Sequence, residues 1–547
     1  MRKWLLLLAV LGTACRSATP VARQLDDTLQ RMVPFGLSGS ILVADANGVV
    51  LDKGYGYADV ARGIRNTPDT IYDIGSITKA LTATAIAVLE DEGRLSTDDT
   101  LAKFFPDAPA DKKDITLKQV LSHSAGLVDQ TGDDYDPVSR QQLIDSVFAA
   151  PLVSPPGKEY HYSNSGYSIL AAIVEQLSGK SYHDFMRERF FAPTGMRDTG
   201  YFVRDERRTA HTYTAPVDHG TPTARLDRAG GVYWELLGNG GMLSTTRDLY
   251  RFEQMLREGK LVSKKAQAAM FTPLFPHDNG LVLAYAWTLQ DVDGEHVIHH
   301  GSDAPQLGVN GELRRYPDAN LAVIFLGNTR VNGWSPRRVV GPYVRKILRG
   351  ETVDVPAVRG LAANALARYA GTYALDDGST IDVRVDGEHL VAGMNGQGAV
   401  DLFTLQKSEQ SLANRRMLNA EAEKLVRAYD WSTSKYGALR DVQVLGTSRR
   451  DRGVFMTTVR ADFDRGPHVL RFAWSGGKPV VESDDEALPR SGFFSESPVE
   501  HALERPLWNE RERTFAFWDL YTGGTIRVEF DGDAMTVGGV RAVRSRR

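Results

Sequence analysis

Ser76-Ile77-Thr78-Lys79 stands at the head of an apolar run that reaches Leu89. If Ser76 opens a helix, Lys79 lies on the same face with its amine within reach of the hydroxyl. A serine hydroxyl needs an adjacent base to act as a nucleophile. A lysine serves as that base when burial or a second cation lowers its pKa. Ser-x-x-Lys occurs three times, also at Ser432 with Lys435 and at Ser475 with Lys478, but those two lie in polar, glycine-containing sequence. Two more short motifs follow in order, Tyr162-Ser163-Asn164 and His299-His300-Gly301. Each residue also has a plainer reading. Tyr162 could be a core aromatic, Asn164 a helix N-cap, and His299 a strand residue with one hydrogen bond. Adjacent strand residues point to opposite faces, so His299 and His300 do not form a metal pair. No carboxylate or cysteine joins them at ligand spacing, and no metal or cofactor is expected. His123 reads as structural.

These residues need elements to hold them. The run from Ile77 to Leu89 is apolar on more than one face, which predicts a buried helix, with Gly93 as its stop. Residues 38–52 read as a hairpin turning at Asn47-Gly48. Further helices are expected near 115–123, 141–149, 163–177 and 246–256. Residues 127–160, rich in Asp, Gln and Pro, read as surface structure over a cleft. Residues 201–232, rich in Gly, Pro and Thr, read as a lid or substrate loop. Strands are expected at 283–289, 295–300, 308–316 and 322–326. Helices followed by a strand-rich block imply an α+β domain with an antiparallel sheet. A boundary falls near 350–362. Beyond it, Asp-Gly turns punctuate alternating strands, and the string from Thr380 to Gly387 echoes that from Thr525 to Gly532. This is either an internal repeat or convergence on one turn chemistry. Residues 362–547 are therefore expected to be all-β, one barrel or two smaller ones.

The chain has 547 residues, 42% hydrophobic and 24% charged, with a formal net charge of -4. That composition describes a soluble globular protein of two to four domains and gives no reason to expect nucleic acid as a partner. The N-terminus differs. Arg2 and Lys3 precede an apolar run and then Gly12-Thr13-Ala14-Cys15, which describes a signal peptide over residues 1–15. Cys15 is the one cysteine and resembles the lipidated cysteine of a bacterial lipobox, although Gly12 stands where leucine is usual. Lipidation, with membrane attachment through Cys15, and simple cleavage stay open. Both imply export, to the periplasm or to a membrane-anchored state.

The three motifs, together with Asp73-Ile-Gly-Ser-Ile-Thr-Lys, Leu121-Ser-His-Ser-Ala-Gly-Leu, Pro156-Gly157, Pro193-Thr-Gly-Met-Arg-Asp-Thr and Leu243-Ser-Thr-Thr-Arg-Asp-Leu, resemble the class C β-lactamase and penicillin-binding-protein-like serine hydrolases. The resemblance covers residues 25–350. It implies a β-lactamase/transpeptidase-like domain, an antiparallel sheet flanked by helices plus a helical subdomain, followed by the barrel-like region. It implies Ser76 as acylated nucleophile, Lys79 as proton acceptor or relay, and Tyr162 as base and then acid. A phenol works as a base only where positive charge pulls its pKa down, and Lys79 is the group placed to do so. Asn164 would bind the lysine and the substrate amide. The N–H groups of Ser76 and Ser302 would form the oxyanion hole, with His299 and Gly301 beside the substrate. Where β-lactamases and D,D-peptidases of this family carry a lysine, the chain has His299, as esterase-like and D-aminopeptidase-like members do. The expected activity is hydrolysis of an ester or amide, including a D-residue peptide, on a small-molecule or peptide substrate. The rivals are a β-lactamase or D,D-carboxypeptidase, and an inactive cell-wall peptide-binding protein. The oligomeric state is not legible.

Overall fold

The computed structural model describes residues 19–545 except 215–216, 278–279, 305, 331–334, 404–408, 429–436, 452–453, 476–477, 480–492, 498–503 and 519–523. The N-terminal segment read as a signal peptide, with Cys15, and the pair Ser432 and Lys435 lie outside the described residues. The helices used below are α1 (Pro20–Met32), α2 (Ile77–Asp91), α3 (Asn164–Ser178), α4 (Pro222–Ala229), α5 (Thr246–Arg257) and α6 (Arg337–Leu348).

Eight strands make the sheet that carries the site: β1 (Gly39–Asp45), β2 (Gly48–Tyr55), β3 (Phe275–His277), β4 (Leu281–Leu283), β5 (Thr288–Val292), β6 (Glu295–Ala304), β7 (Val309–Tyr316) and β8 (Leu321–Gly327). Their spatial order is β2-β1-β8-β7-β6-β5-β4-β3 with antiparallel neighbours throughout. β1 and β2 are the hairpin that Asn47-Gly48 predicts. β1 then pairs with β8, Ile41 opposite Phe325, so the ends of the domain close on each other.

Helices cover both faces. Ile41, Val43, Val297, Val323 and Phe325 pack with residues of α1 and α6. Leu42, Ala44, Ile298, Leu313 and Ile324 pack with residues of α2 and α3. This double cover explains why Ile41-Leu42-Val43-Ala44 reads as a continuous apolar run instead of a clean alternation. α2 is buried at every position from Ile77 to Leu89. Each fully buried Leu or Ile contributes about 1.5–3 kcal/mol, so the helix presenting Ser76 is a rigid support.

The C-terminal region contains the barrel, closed by Gly371–Ala374, Thr380–Asp386, His389–Asn395, Glu504–Arg511, Thr514–Trp518, Thr525–Asp531, Ala534–Val537 and Val540–Arg544. The two echoing strings are strands of this one barrel, with Ile381 and Val383, and Ile526, Val528 and Phe530, buried in alternation. The region also holds what the sequence reading lacks. Between His389–Asn395 and Glu504–Arg511 the chain leaves the barrel to form a 20-residue helix, Glu409–Ala428, and a separate five-stranded sheet. Leu418, Ala422 and Val426, four residues apart, make the helix stripe that packs on Phe472 and Trp474. Trp518 of the barrel is fully buried against the N-terminal domain, its ring 6.0 Å from Phe35 and 5.7 Å from Tyr343.

Candidate active site

The chain enters the site through Tyr72–Asp73, a short strand paired with Leu243–Ser244. Asp73 Oδ1 accepts the Gly75 N–H at 2.8 Å, and Gly75 turns with φ +45°. A Cβ at Gly75 would stand 3.1 Å from Ser302 Cβ, so the turn needs glycine for conformation and for space. Ser76 follows as the N-cap of α2, yet its side chain makes no capping bond. An N-cap serine ordinarily spends its oxygen on the helix N–H groups. Here Oγ instead lies 2.8 Å from Tyr162 Oη and 3.3 Å from Lys79 Nζ.

Lys79 is fully buried. Its Nζ donates to Asn164 Oδ1 at 2.6 Å and to the Asn239 carbonyl at 2.8 Å. Burial lowers its pKa to about 7, against Asp129 and Asp134, which favour the charged form. A neutral amine has two N–H donors and one lone pair. Two carbonyl oxygens take the donors, which leaves the lone pair for the Ser76 hydroxyl proton. Tyr162 departs from expectation. Burial pushes its phenol far above the ordinary range, with the Ser76 bond and Arg337 opposing, so at neutral pH it is a proton donor. With Lys79 neutral the bonds run in one direction, from Tyr162 to Ser76 to Lys79; with Lys79 charged, Nζ donates to Ser76 Oγ instead.

Sequence neighbours support this group. Ser163 caps α3, accepting the Gly166 N–H at 2.9 Å, which frees Asn164 from capping and leaves its amide for Lys79. His123 stacks on the Tyr162 ring at 4.4 Å, and its Nδ1 accepts the Ser163 N–H at 3.1 Å. Burial holds His123 well below the usual histidine range, in keeping with a neutral, structural ring. Asn239 was missed by sequence reasoning. Its side chain donates to Ser168 Oγ and to the Glu235 carbonyl, which aims its own carbonyl at Lys79. The available signal was Gly238-Asn-Gly-Gly. A Cβ at Gly238 would lie 2.6 Å from Ala171 Cβ, so glycine lets this loop approach α3.

The third motif is placed one residue away from its reading. His299 points to the α6 face, with Nδ1 3.3 Å from Glu312 Oε1. Burial lowers its pKa, opposed by Glu312, which is itself paired with Arg314. His300 faces Ser76: Nδ1 donates to the Ala286 carbonyl at 2.5 Å, and the ring lies against the Ser76 backbone. Burial lowers His300 to about 4, so it is neutral.

The backbone follows the same shift. In an antiparallel ladder, successive residues direct N–H and C=O to alternate neighbours. Ala284 N–H bonds the Trp287 carbonyl on the β4 side, so Thr288 faces β6 and its partner His299 faces β5. Two-residue steps turn Gly301 and Asp303 toward the β5 side, where β5 has already ended. Ser302, opposite Gly311, is spent on β7. By this alternation the N–H turned to the free edge of β6 is that of Asp303, not that of Ser302. A Cβ at Gly301 would collide with Nη1 of Arg337, whose Nη2 lies 3.6 Å from Asp303 Oδ2. Arg330 Nη2 binds the same carboxylate at 3.1 Å. Among the described residues, no group of three or more His, Cys, Asp or Glu side chains is placed to hold a metal ion.

Comparison with known proteins gives the family and the fold. Residues 35–339 match the family described as Beta-lactamase. Penicillin-binding protein 4* of Bacillus subtilis (strain 168) is 27% identical over 412 residues, 71% of this chain and 89% of that protein. The octameric penicillin-binding protein homologue from Pyrococcus abyssi shares the fold with TM-score 0.56 and 22% identity, over 84% of this chain and 98% of the other. The D-amino acid amidase of Ochrobactrum anthropi SV3, complexed with D-phenylalanine, does so with TM-score 0.51 and 22% identity, over 60% of this chain and 99% of the other. With more than half of its residues matched, the chain belongs to the Beta-lactamase family of serine hydrolases.

Proposed function

We propose that the protein is an exported hydrolase that cleaves an ester or amide, including D-residue peptides, through an acyl-enzyme on Ser76. The observation that carries this reading is the Ser76 hydroxyl held between a phenol donor at 2.8 Å and a buried, half-neutral amine at 3.3 Å. Neutral Lys79 takes the hydroxyl proton as Oγ attacks the carbonyl carbon. The N–H groups of Ser76 and Asp303 receive the oxyanion. The proton then passes through Tyr162 to the leaving oxygen or nitrogen, and water reverses the sequence to free the acid. Export is supported by the charged and apolar N-terminal segment ending at Cys15. Among the described residues no helix is long and apolar enough to cross a membrane.

A second reading, β-lactamase or D,D-carboxypeptidase, is favoured by one feature: Arg337 places a cation beside the open edge of β6, where a substrate carboxylate would lie. The relative named penicillin-binding protein 4* points the same way. The test is intact mass and peptide mapping after a fluorophosphonate probe, beside Ser76→Ala. One adduct on the Ser76 peptide, lost in the variant, is expected. No adduct on folded protein refutes the hydrolase reading in favour of a binding protein. Rates on a short-chain nitrophenyl ester, a D-alanyl anilide and a chromogenic cephalosporin then separate the two hydrolase readings.

A further inference from the structure

Residues 201–232 read in sequence as a lid or substrate loop, and one of their side chains reaches the turn that precedes Ser76. Arg225 on α4 is only 7% exposed although it is charged. Its Nη2 lies 3.7 Å from Asp73 Oδ2. Nε donates to Tyr135 Oη at 3.3 Å. Nη1 donates to Thr212 Oγ1 at 2.9 Å and to the carbonyls of His219 and Gly220 at 3.5 and 3.3 Å. Asp73 stands three residues before Ser76, and its other oxygen makes the Gly75 turn. A buried carboxylate stays ionised only beside a cation or strong donors. Burial pushes the Asp73 carboxyl up, and Arg225 and the Gly75 N–H oppose it. An ionised carboxylate is the stronger acceptor for that N–H.

The geometry points to Arg225 as a positioning residue for the nucleophile. Through Asp73 it holds the left-handed turn that aims Ser76, and through Tyr135, Thr212 and the 219–220 carbonyls it makes the seating of α4 and of these residues a condition of that turn. The inference rests on Ser76 being the nucleophile. Arg225 itself need touch no substrate.

The experiment uses the full chain as wild type, Arg225→Gln, Arg225→Lys, Asp73→Asn and the double variant Arg225→Gln with Asp73→Asn. It reads the second-order rate of fluorophosphonate labelling at Ser76, and kcat and KM for p-nitrophenyl acetate. Misplacing a reacting group by an ångström costs up to about 100-fold, so Arg225→Gln is expected to label at least about tenfold slower, with kcat reduced and KM within about twofold. Arg225→Lys should recover part of the rate. The side chain introduced by Asp73→Asn still offers an amide oxygen to Gly75, so Asp73→Asn and the double variant should label at equal rates, because Arg225 then has no charge to neutralise. Arg225→Gln labelling within about twofold of wild type overturns the inference, as does a double variant about tenfold slower than Asp73→Asn. Should Arg225→Gln fail to fold, that last comparison decides alone. A wild type that does not label at Ser76 overturns the nucleophile reading itself, whereas a labelled wild type with an equally labelled Arg225→Gln overturns only the role of Arg225.

Discussion

Lys79 sets a quantitative expectation for the pH dependence of acylation. Burial brings its pKa from 10.5 to about 7. The neutral amine, the form able to take the Ser76 proton, is then roughly 9% of the total at pH 6, 50% at pH 7 and 91% at pH 8. A solvent-exposed lysine would be neutral in only about three molecules per ten thousand at pH 7, so burial raises the available base about a thousandfold. The drop corresponds to a free energy on the order of 5 kcal/mol, which the buried apolar length of α2 must hold in place. The rate of Ser76 labelling by a fluorophosphonate should therefore climb about tenfold per pH unit below 7 and level off above 8. Lys79→Arg keeps a charge at every pH and should remove the slope together with most of the rate. Asp134 favours the protonated lysine, so Asp134→Asn should move the midpoint below that of wild type and raise the rate at pH 6. The assay is a series of labelling time courses between pH 5 and 9, with circular dichroism confirming the fold at each pH. A rate that still climbs tenfold per unit between pH 8 and 9, or one that is flat between 5 and 9, refutes Lys79 as the base.

Three further outcomes are expected. Tyr162→Phe removes the donor at Ser76 Oγ and should lower kcat on a nitrophenyl ester about 100- to 1,000-fold with KM little changed, read by steady-state kinetics. His300→Gln, facing Ser76, should lower acylation, whereas His299→Gln, facing Glu312, should act mainly on the melting temperature; comparing both readouts in both variants checks the register. Trp518→Ala empties a fully buried site between barrel and N-terminal domain and should cost about 3–5 kcal/mol, seen in calorimetry as a lower first transition.

Much of the site was legible because its chemistry is local. Ser76 and Lys79 share one helix face, and the run to Leu89 announces that the face is buried. Tyr162, Ser163 and Asn164 open another helix, where a cap and a freed amide follow from neighbouring positions. What escaped was carried by the backbone or by distant partners. The Asn239 carbonyl serves Lys79, and a carbonyl has no residue type to betray it. Two consecutive histidines offered no local means of choosing a face, since the parity of β6 is set by a bond in the β4–β5 hairpin. Arg225 meets Asp73 across a long sequence separation, within a segment whose composition reads only as loop. The Glu409–Ala428 helix sits in polar sequence, and its stripe gains meaning only once a sheet lies beneath it.

The register of β6 also decides where the site keeps its permanent positive charge. Neither histidine of the motif supplies it: burial lowers His299 on the far face, against Glu312, and lowers His300 to about 4 beside Ser76. Arg337 reaches the strand at Gly301, where a side chain would displace its guanidinium, and Asp303 ties it to Arg330. A permanent charge beside the motif thus comes from the first residue of α6, and Gly301 is the space that admits it. A guanidinium stays charged throughout the working range, whereas an exposed histidine in that place would titrate in the same interval as Lys79. Substrate attraction and nucleophile activation would then rise and fall in opposite directions with pH. With arginine at the edge and both histidines lowered by burial, the pH response expected between 6 and 8 is that of the amine beside Ser76.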